Sequence, residues 1–202
     1  MEDIEIIKKV SELYMKYGIK SVTMDDLARE LGISKKTLYQ YFKDKDDVVS
    51  KVVRQGMENQ MGDLCELCKP NSNAIDELLI MSKYLTNKIQ KANMSFTYDL
   101  QKYYPEVWKW VFESRKEHIL KHVKENMKAG IKQGFYRKDL NFDIISAFYI
   151  FRLDVQWFEL VSTLDFKFEE IFNALFIYHI RGIANNKGIE YLEKKIKEEK
   201  LH

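Results

Sequence analysis

The sequence predicts an all-α protein, and three observations lead there. Of 202 residues only 2 are Pro and 8 are Gly, too few breakers for a strand-and-turn fold. Apolar residues recur at three- and four-residue spacing along most of the chain, the period of a helix with one buried face. Capping residues stand at the ends of those runs. With 46% apolar and 32% charged residues, the chain has the mix of a globular protein that can bury a core. A net charge of +2 does not mark the whole molecule as a nucleic-acid binder, so such a role has to rest on local clustering.

Ile4, Ile7, Val10, Leu13 and Met15 keep a helical period up to Gly18, placed to end the first helix in a left-handed cap. Thr23 before Met24-Asp25-Asp26 predicts a capping-box start for a short second helix to about Leu31. Gly32 allows a sharp turn, Ile33 plugs the core, and Ser34 caps a third helix through Lys35, Leu38 and Phe42. Asp44 caps a fourth, with Val48, Val49, Val52, Val53, Met57, Met61 and Leu64 inward, before Lys69-Pro70-Asn71-Ser72-Asn73 breaks the pattern. Ile75 to Ile89 marks a fifth helix, Met94 to Tyr103 a brief sixth, and Pro105 suits the first turn of a long seventh that ends near Gly130 and Gly134. An eighth helix from about Phe142 to Ser162 and a ninth from about Glu169 to Ala184 are apolar on nearly every side. From Lys187 the sequence reads as a charged tail with a weak stripe of Ile189, Leu192 and Ile196 and an i,i+4 pair of Glu190 and Lys194.

Several function classes are disfavoured. The opening Met-Glu-Asp-Ile-Glu lacks a basic and an apolar leader region, so a cytoplasmic location is expected. Ile144 to Phe151, the most apolar run, is far shorter than the ~20 residues that span a bilayer. Cys65 and Cys68 form a lone Cys-x-x-Cys without the second ligand pair of a zinc site. His118 and His122, with Glu125 nearby, have a spacing that can hold zinc, and they carry the enzymatic alternative. Ile119 stands where a zinc-protease helix needs Glu. No metal, cofactor or catalytic residue is expected, and no phosphate loop or nucleophile elbow is found.

The informative stretch runs from Thr23 to Lys45. Small Ala28 lets two helices approach closely, while Leu27, Leu31, Ile33 and Leu38 hold the pair on the first helix. Lys35, Lys36, Thr37, Gln40 and Tyr41 are left to project outward, as a DNA-reading helix requires. Between Arg29 and Lys45 five bases stand against two acids, a net +3. Lys35, Lys36, Thr37 and Gln40 are expected at base edges, and Tyr39, Tyr41, Lys45 and the Thr23 hydroxyl at phosphates. Lys45 falls in the first turn of a helix, where the dipole and free N–H groups attract an anion.

Here the chain resembles the TetR/AcrR family of bacterial regulators. The resemblance covers about the first quarter of the sequence and rests on Leu-Ala-x-x-Leu-Gly-Ile-Ser, Thr-Leu-Tyr-x-Tyr-Phe and the Phe-x-x-Lys junction, followed by Val48-Val49. Lys36 stands where Gly is common, and Gln40 and Tyr41 where a bulky aromatic or His is common, so operator sequence does not carry over. The resemblance implies nine or ten helices, a homodimer, and a C-terminal pocket for an effector. It also implies that the last two long helices pair across a two-fold axis.

The expected division is a helix-turn-helix DNA-binding domain over residues 1–47 and a ligand-binding and dimerisation domain over 48–202, joined by the long fourth helix. Phe148, Phe151, Phe172 and Phe176 are expected at the dimer interface, forming a four-helix bundle with their copies. Tyr84, Phe96, Tyr98, Tyr104, Trp108, Phe112, Phe151 and Trp157 supply candidates for an apolar pocket. The function expected is a DNA-binding regulator, a repressor by the family's commoner habit, that binds a palindromic operator and is released by a small, mostly apolar molecule. A DNA-bound scaffold without ligand sensing is the alternative on the same fold.

Overall fold

The computed structural model describes residues 3–67, 72–90, 93–150 and 165–199. Among them the order is α1 (Asp3–Tyr17), α2 (Met24–Leu31), α3 (Lys35–Tyr41), α4 (Lys45–Leu67), α5 (Ala74–Gln90), α6 (Met94–Tyr103), α7 (Pro105–Lys132), α8 (Phe142–Ile150), α9 (Phe168–Ile183) and α10 (Asn186–Glu199). The fold is all-α. Two compact units form, Met1–Asp63 with Lys91–Glu113 and Leu64–Gln90 with Ser114–His202, so α4 and α7 contribute residues to both.

In the first unit α1 buries Ile6, Val10 and Tyr14, a stripe one helical turn apart, against Leu27, Leu31, Leu38, Phe42 and the valines of α4. The expected α1 stripe is thereby corrected at its ends: Ile4 and Met15 lie in water because the buried face is centred on Tyr14 rather than Leu13. Gly18 takes φ +82° and closes α1, its N–H donating to Tyr14 O at 2.9 Å. Asp99 on α6 accepts from Lys20 N at 2.7 Å, and Asn93 Nδ2 donates to Met15 O at 2.5 Å, tying α6 to the α1–α2 turn. Phe96, Tyr104, Val107 and Trp108 pack on this same core.

In the second unit α9 lies on α5, and Val123 and Met127 of α7 join Ile75, Leu78, Leu79, Phe172, Phe176 and Ile180 in the core. Tyr136 is 2% exposed and donates through its hydroxyl to Asn126 Oδ1 at 3.1 Å. Gly134 at φ +76° turns the chain out of α7, and residues 135–137 then pair with 183–185 through Arg137 N to Ile183 O and Asn185 N to Phe135 O, both 2.9 Å.

The charged tail expected after Lys187 is instead the ordered helix α10. Leu192 is fully buried, Tyr191 donates to Asp76 Oδ2 at 2.7 Å, and Arg181 pairs with Glu193 at 2.6 Å. Lys194 pairs forward with Glu198 at 3.7 Å rather than back with Glu190. Of the eighth helix, the part beyond Ile150 lies outside the described residues.

Candidate nucleic-acid interface

The helix pair is built by local chemistry. Thr23 Oγ1 accepts from Asp26 N at 3.1 Å, and Asp26 Oδ2 accepts from Thr23 N at 3.0 Å, a reciprocal capping box that starts α2. These bonds and nearby Arg29 hold the Asp26 carboxyl below its ordinary pKa. Gly32 in the left-handed region (φ +68°) then reverses the chain, with Ile33 N donating to Ala28 O at 3.0 Å. Ser34 Oγ accepts from Thr37 N at 3.0 Å and starts α3. Buried Leu27, Ala28, Leu31 and Leu38 lock α2 and α3 on the core.

This packing turns Lys35, Lys36, Tyr39 and Gln40 outward on α3, and all four are exposed. Lys35 Nζ sits 2.7 Å from Asp25 Oδ1, which raises its pKa, and Arg29 pairs with Asp26 at 2.5 Å. Both are surface pairs, worth little against a competing phosphate. Lys36 makes no ion pair with a described residue. Thr37 is half-buried, its hydroxyl 2.8 Å from Ser34 Oγ.

Three sites expected at phosphates are shaped differently from the sequence reading. The Thr23 hydroxyl donates to Asp26 Oδ2 at 2.6 Å, so its proton is committed to the cap. Tyr41 is half-buried and lines a cavity of about 260 Å³ with Ile7, Phe42, Lys51, Arg54, Gln55 and Glu58. Lys45 is half-buried too, folding back so that Nζ lies 3.4 Å from Lys20 O. Burial and the neighbouring Lys20 charge hold its pKa below the usual lysine value. Asp44 Oδ1 accepts from Asp47 N at 2.8 Å, and Asp46 and Asp47 fill the first turn of α4. The anion attraction expected of that helix start is therefore already largely answered by acids.

The pocket set is divided between the two units, with part of it outside the described residues. Tyr84 belongs to the second unit, whereas Phe96, Tyr98, Tyr104, Trp108 and Phe112 belong to the first. Tyr98 is 55% exposed, with Lys102 Nζ on its hydroxyl at 2.8 Å. Phe96, Tyr104 and Trp108 pack on the core that carries α2 and α3. Phe151 and Trp157 lie outside the described residues. In the second unit a cavity of about 10 Å³ is lined by Leu79, Ser82, Lys83, Asn173, Phe176 and Ile177.

The expected dimer set needs the same correction. Phe172 and Phe176 are buried in their own chain's core, ring centroids 5.3 Å apart, because α9 spends that face on α5. Among the described residues, the large apolar side chains left in water on α8 and α9 are Ile144, Phe148 and Tyr178. Nor do the two histidines converge. His118 Nδ1 bonds Ser114 O of its own helix at 2.8 Å, while His122 Nε2 lies 3.0 Å from Glu77 Oε1, an ion-pair distance without hydrogen-bond alignment.

The family model for bacterial regulatory proteins, tetR family, matches residues 6–52, the span from α1 into α4. The HTH-type transcriptional repressor KstR2 of Mycolicibacterium smegmatis is 24% identical over 156 residues, covering 76% of this chain and 75% of that one. A TetR-family transcriptional regulator from Cytophaga hutchinsonii superposes with a TM-score of 0.71 at 16% identity, over 92% of this chain and 96% of its own. FadR from Bacillus subtilis in complex with stearoyl-CoA superposes with a TM-score of 0.64 at 18% identity, over 90% and 100%. A capped helix pair with an outward basic α3, the family match across it, and the likeness in fold agree: residues 6–52 form the DNA-binding region of bacterial regulatory proteins of the tetR family, and the chain shares the fold of TetR-family transcriptional regulators.

Proposed function

We propose that the chain is a cytoplasmic repressor that binds a palindromic operator as a homodimer and lets go when a small, mostly apolar molecule binds its C-terminal part. Residues 1–47 serve as the DNA-binding domain and 48–202 as the ligand-binding and dimerisation domain. The observation that carries the reading is α3, whose Lys35, Lys36, Tyr39 and Gln40 are exposed together on a helix fixed from behind by Leu38. Lys35, Lys36, Thr37 and Gln40 read bases. Tyr39, Tyr41 and Lys45 meet phosphates, and Lys45 swings out from Lys20 to do so. Thr23 acts there through its backbone and its cap rather than through a free hydroxyl.

Phe148 supplies the exposed part of the dimer face, with Phe151 following it on the same run of sequence. Of the aromatic set, Tyr84 is the described member placed in the C-terminal unit. FadR, solved with an acyl-coenzyme A, and KstR2, named a repressor, are relatives in keeping with release by an apolar ligand. The test is footprinting on the DNA upstream of its own gene. Protection of two half-sites about 10 base pairs apart, or a multiple of that, is expected. Absence of any salt-sensitive DNA binding would overturn it.

One observation favours a second reading, the DNA-bound scaffold. The 10 Å³ cavity lined by described residues of the second unit holds at most one water, so a ligand placed there has to widen it. If no compound shifts both the melting temperature and operator affinity, the scaffold takes precedence.

A further inference from the structure

A guanidinium is seldom buried without an acceptor, because it gives up its hydration for nothing in return. Arg115 on α7 is half-buried and approaches this. Its Nε is shielded from solvent and donates to no acceptor, and its guanidinium makes no ion pair with a described residue. Burial alone pulls its pKa below the usual arginine value, with no described carboxylate beside it to offset the cost.

The surroundings make this more pointed. Arg115, Ile119, His122 and Asn126 form one stripe along α7, three or four residues apart. At the far end of the stripe Asn126 is answered, its Nδ2 donating to Ala74 O at 2.9 Å and Glu77 Oε2 at 3.0 Å, while His122 Nε2 lies 3.0 Å from Glu77 Oε1 without hydrogen-bond alignment. Ala74 N in turn donates to Gln133 Oε1 at 2.9 Å, so α5 and α7 run antiparallel here. Seven residues back from His122, about 10 Å along the helix, Arg115 stands level with the middle of α5. Thr86 Oγ1 on α5 and Ser146 Oγ on α8 are likewise buried without a partner. Thr86 on α5, Arg115 on α7 and Ser146 on α8 are thus polar side chains of the second unit that leave a buried polar atom unanswered.

We propose that Arg115 anchors an acidic ligand: the sensed molecule has an apolar body and a carboxylate or phosphate head that accepts from the guanidinium fork. This rests on the ligand-sensing reading above and adds the chemistry of the head group. A planar fork of donors matches two oxygens of either head, and a wholly apolar or neutral ligand that covered Arg115 would leave its half-buried charge unanswered.

The test uses the full-length protein with Arg115→Met, which keeps the apolar stem and removes the charge. Without ligand, Arg115→Met melts at or above the wild-type temperature, since an uncompensated half-buried cation has been removed. A clear drop would mean the guanidinium has structural partners and would overturn the proposal. Calorimetric titration then uses dodecanoate, dodecyl phosphate and dodecan-1-ol. Wild type is expected to bind one of the two acids roughly tenfold or more tightly than Arg115→Met does, with dodecan-1-ol indifferent to the substitution. Which acid binds distinguishes a carboxylate from a phosphate head. Equal acid binding by both proteins overturns the anchor. Binding of the alcohol alone, with release of operator, overturns the acidic head yet leaves ligand sensing standing. No binding by any of the three overturns this proposal, while the separate footprint decides the regulator reading.

Discussion

Phe148→Glu should split the dimer without unfolding the protomer. Phe148 on α8 is 56% exposed and Ile144, one turn earlier, equally so, while Tyr178 on α9 is 71% exposed. A Phe side chain buries on the order of 200 Å², so covering the exposed part of Phe148 removes about 110 Å² from water, worth about 3 kcal/mol at ~25 cal/mol/Å². A two-fold axis counts the contact twice, giving about 6 kcal/mol as an upper bound. Ordering and desolvation take back part of it, and the new carboxylates repel. A loss of at least about 2 kcal/mol, roughly thirtyfold in the dimer dissociation constant, is the expected floor. Sedimentation equilibrium measures it, with circular dichroism to check the fold. Phe176→Glu is the contrast: at 3% exposure it places a carboxylate in the core and should unfold the second unit. A Phe148→Glu protein that stays folded and dimerises as wild type does would refute the assignment of this face.

Other expectations concern the DNA surface and the core. Lys45→Ala should weaken binding to all sequences alike and reduce the slope of log affinity against log salt by about 0.9 if Lys45 meets one phosphate. Gln40→Ala should change base preference at one position of each half-site, read by competition with point-substituted operators. Burial depresses the pKa of Lys45, whereas Asp25 raises that of Lys35, so Lys45 is the first of the two to lose its proton as pH rises. A phosphate that favours the charged form should then make binding take up protons in the alkaline range, and Lys45→Met should lose that uptake in calorimetry run in two buffers. In Gly130→Ala the new Cβ would overlap the Tyr136 ring. Overpacking of about 1–3 kcal/mol should outweigh the ~1 kcal/mol that Ala gains over Gly in a helix, lowering the melting temperature.

The first four helices were legible because their ends are written in neighbouring residues. Thr23, Gly32 and Ser34 satisfy or release backbone groups within four residues of themselves, so no distant contact is needed to place α2 and α3. The outward face of α3 followed from Leu38 alone, since burying it at 3.6 residues per turn turns Lys36 and Gln40 outward. Lys45 was placed correctly at the start of α4 but not in its pose, because Lys20 O lies 25 residues away in sequence.

What the sequence by itself determined is the all-helical class and the helix-turn-helix, both of which rest on short-range period and capping. What only the tertiary structure decided is which apolar faces are spent inside the chain. Phe172 and Phe176 look available for a partner until α5 is seen against α9, and the stripe of α10 looks weak until Leu192 is seen buried beside it. Arg115 illustrates the same limit: nothing in its neighbours in sequence tells a solvated arginine from a half-buried one. Burial and hydrogen bonding are sums over residues far apart along the chain, so they are settled by packing rather than by local pattern.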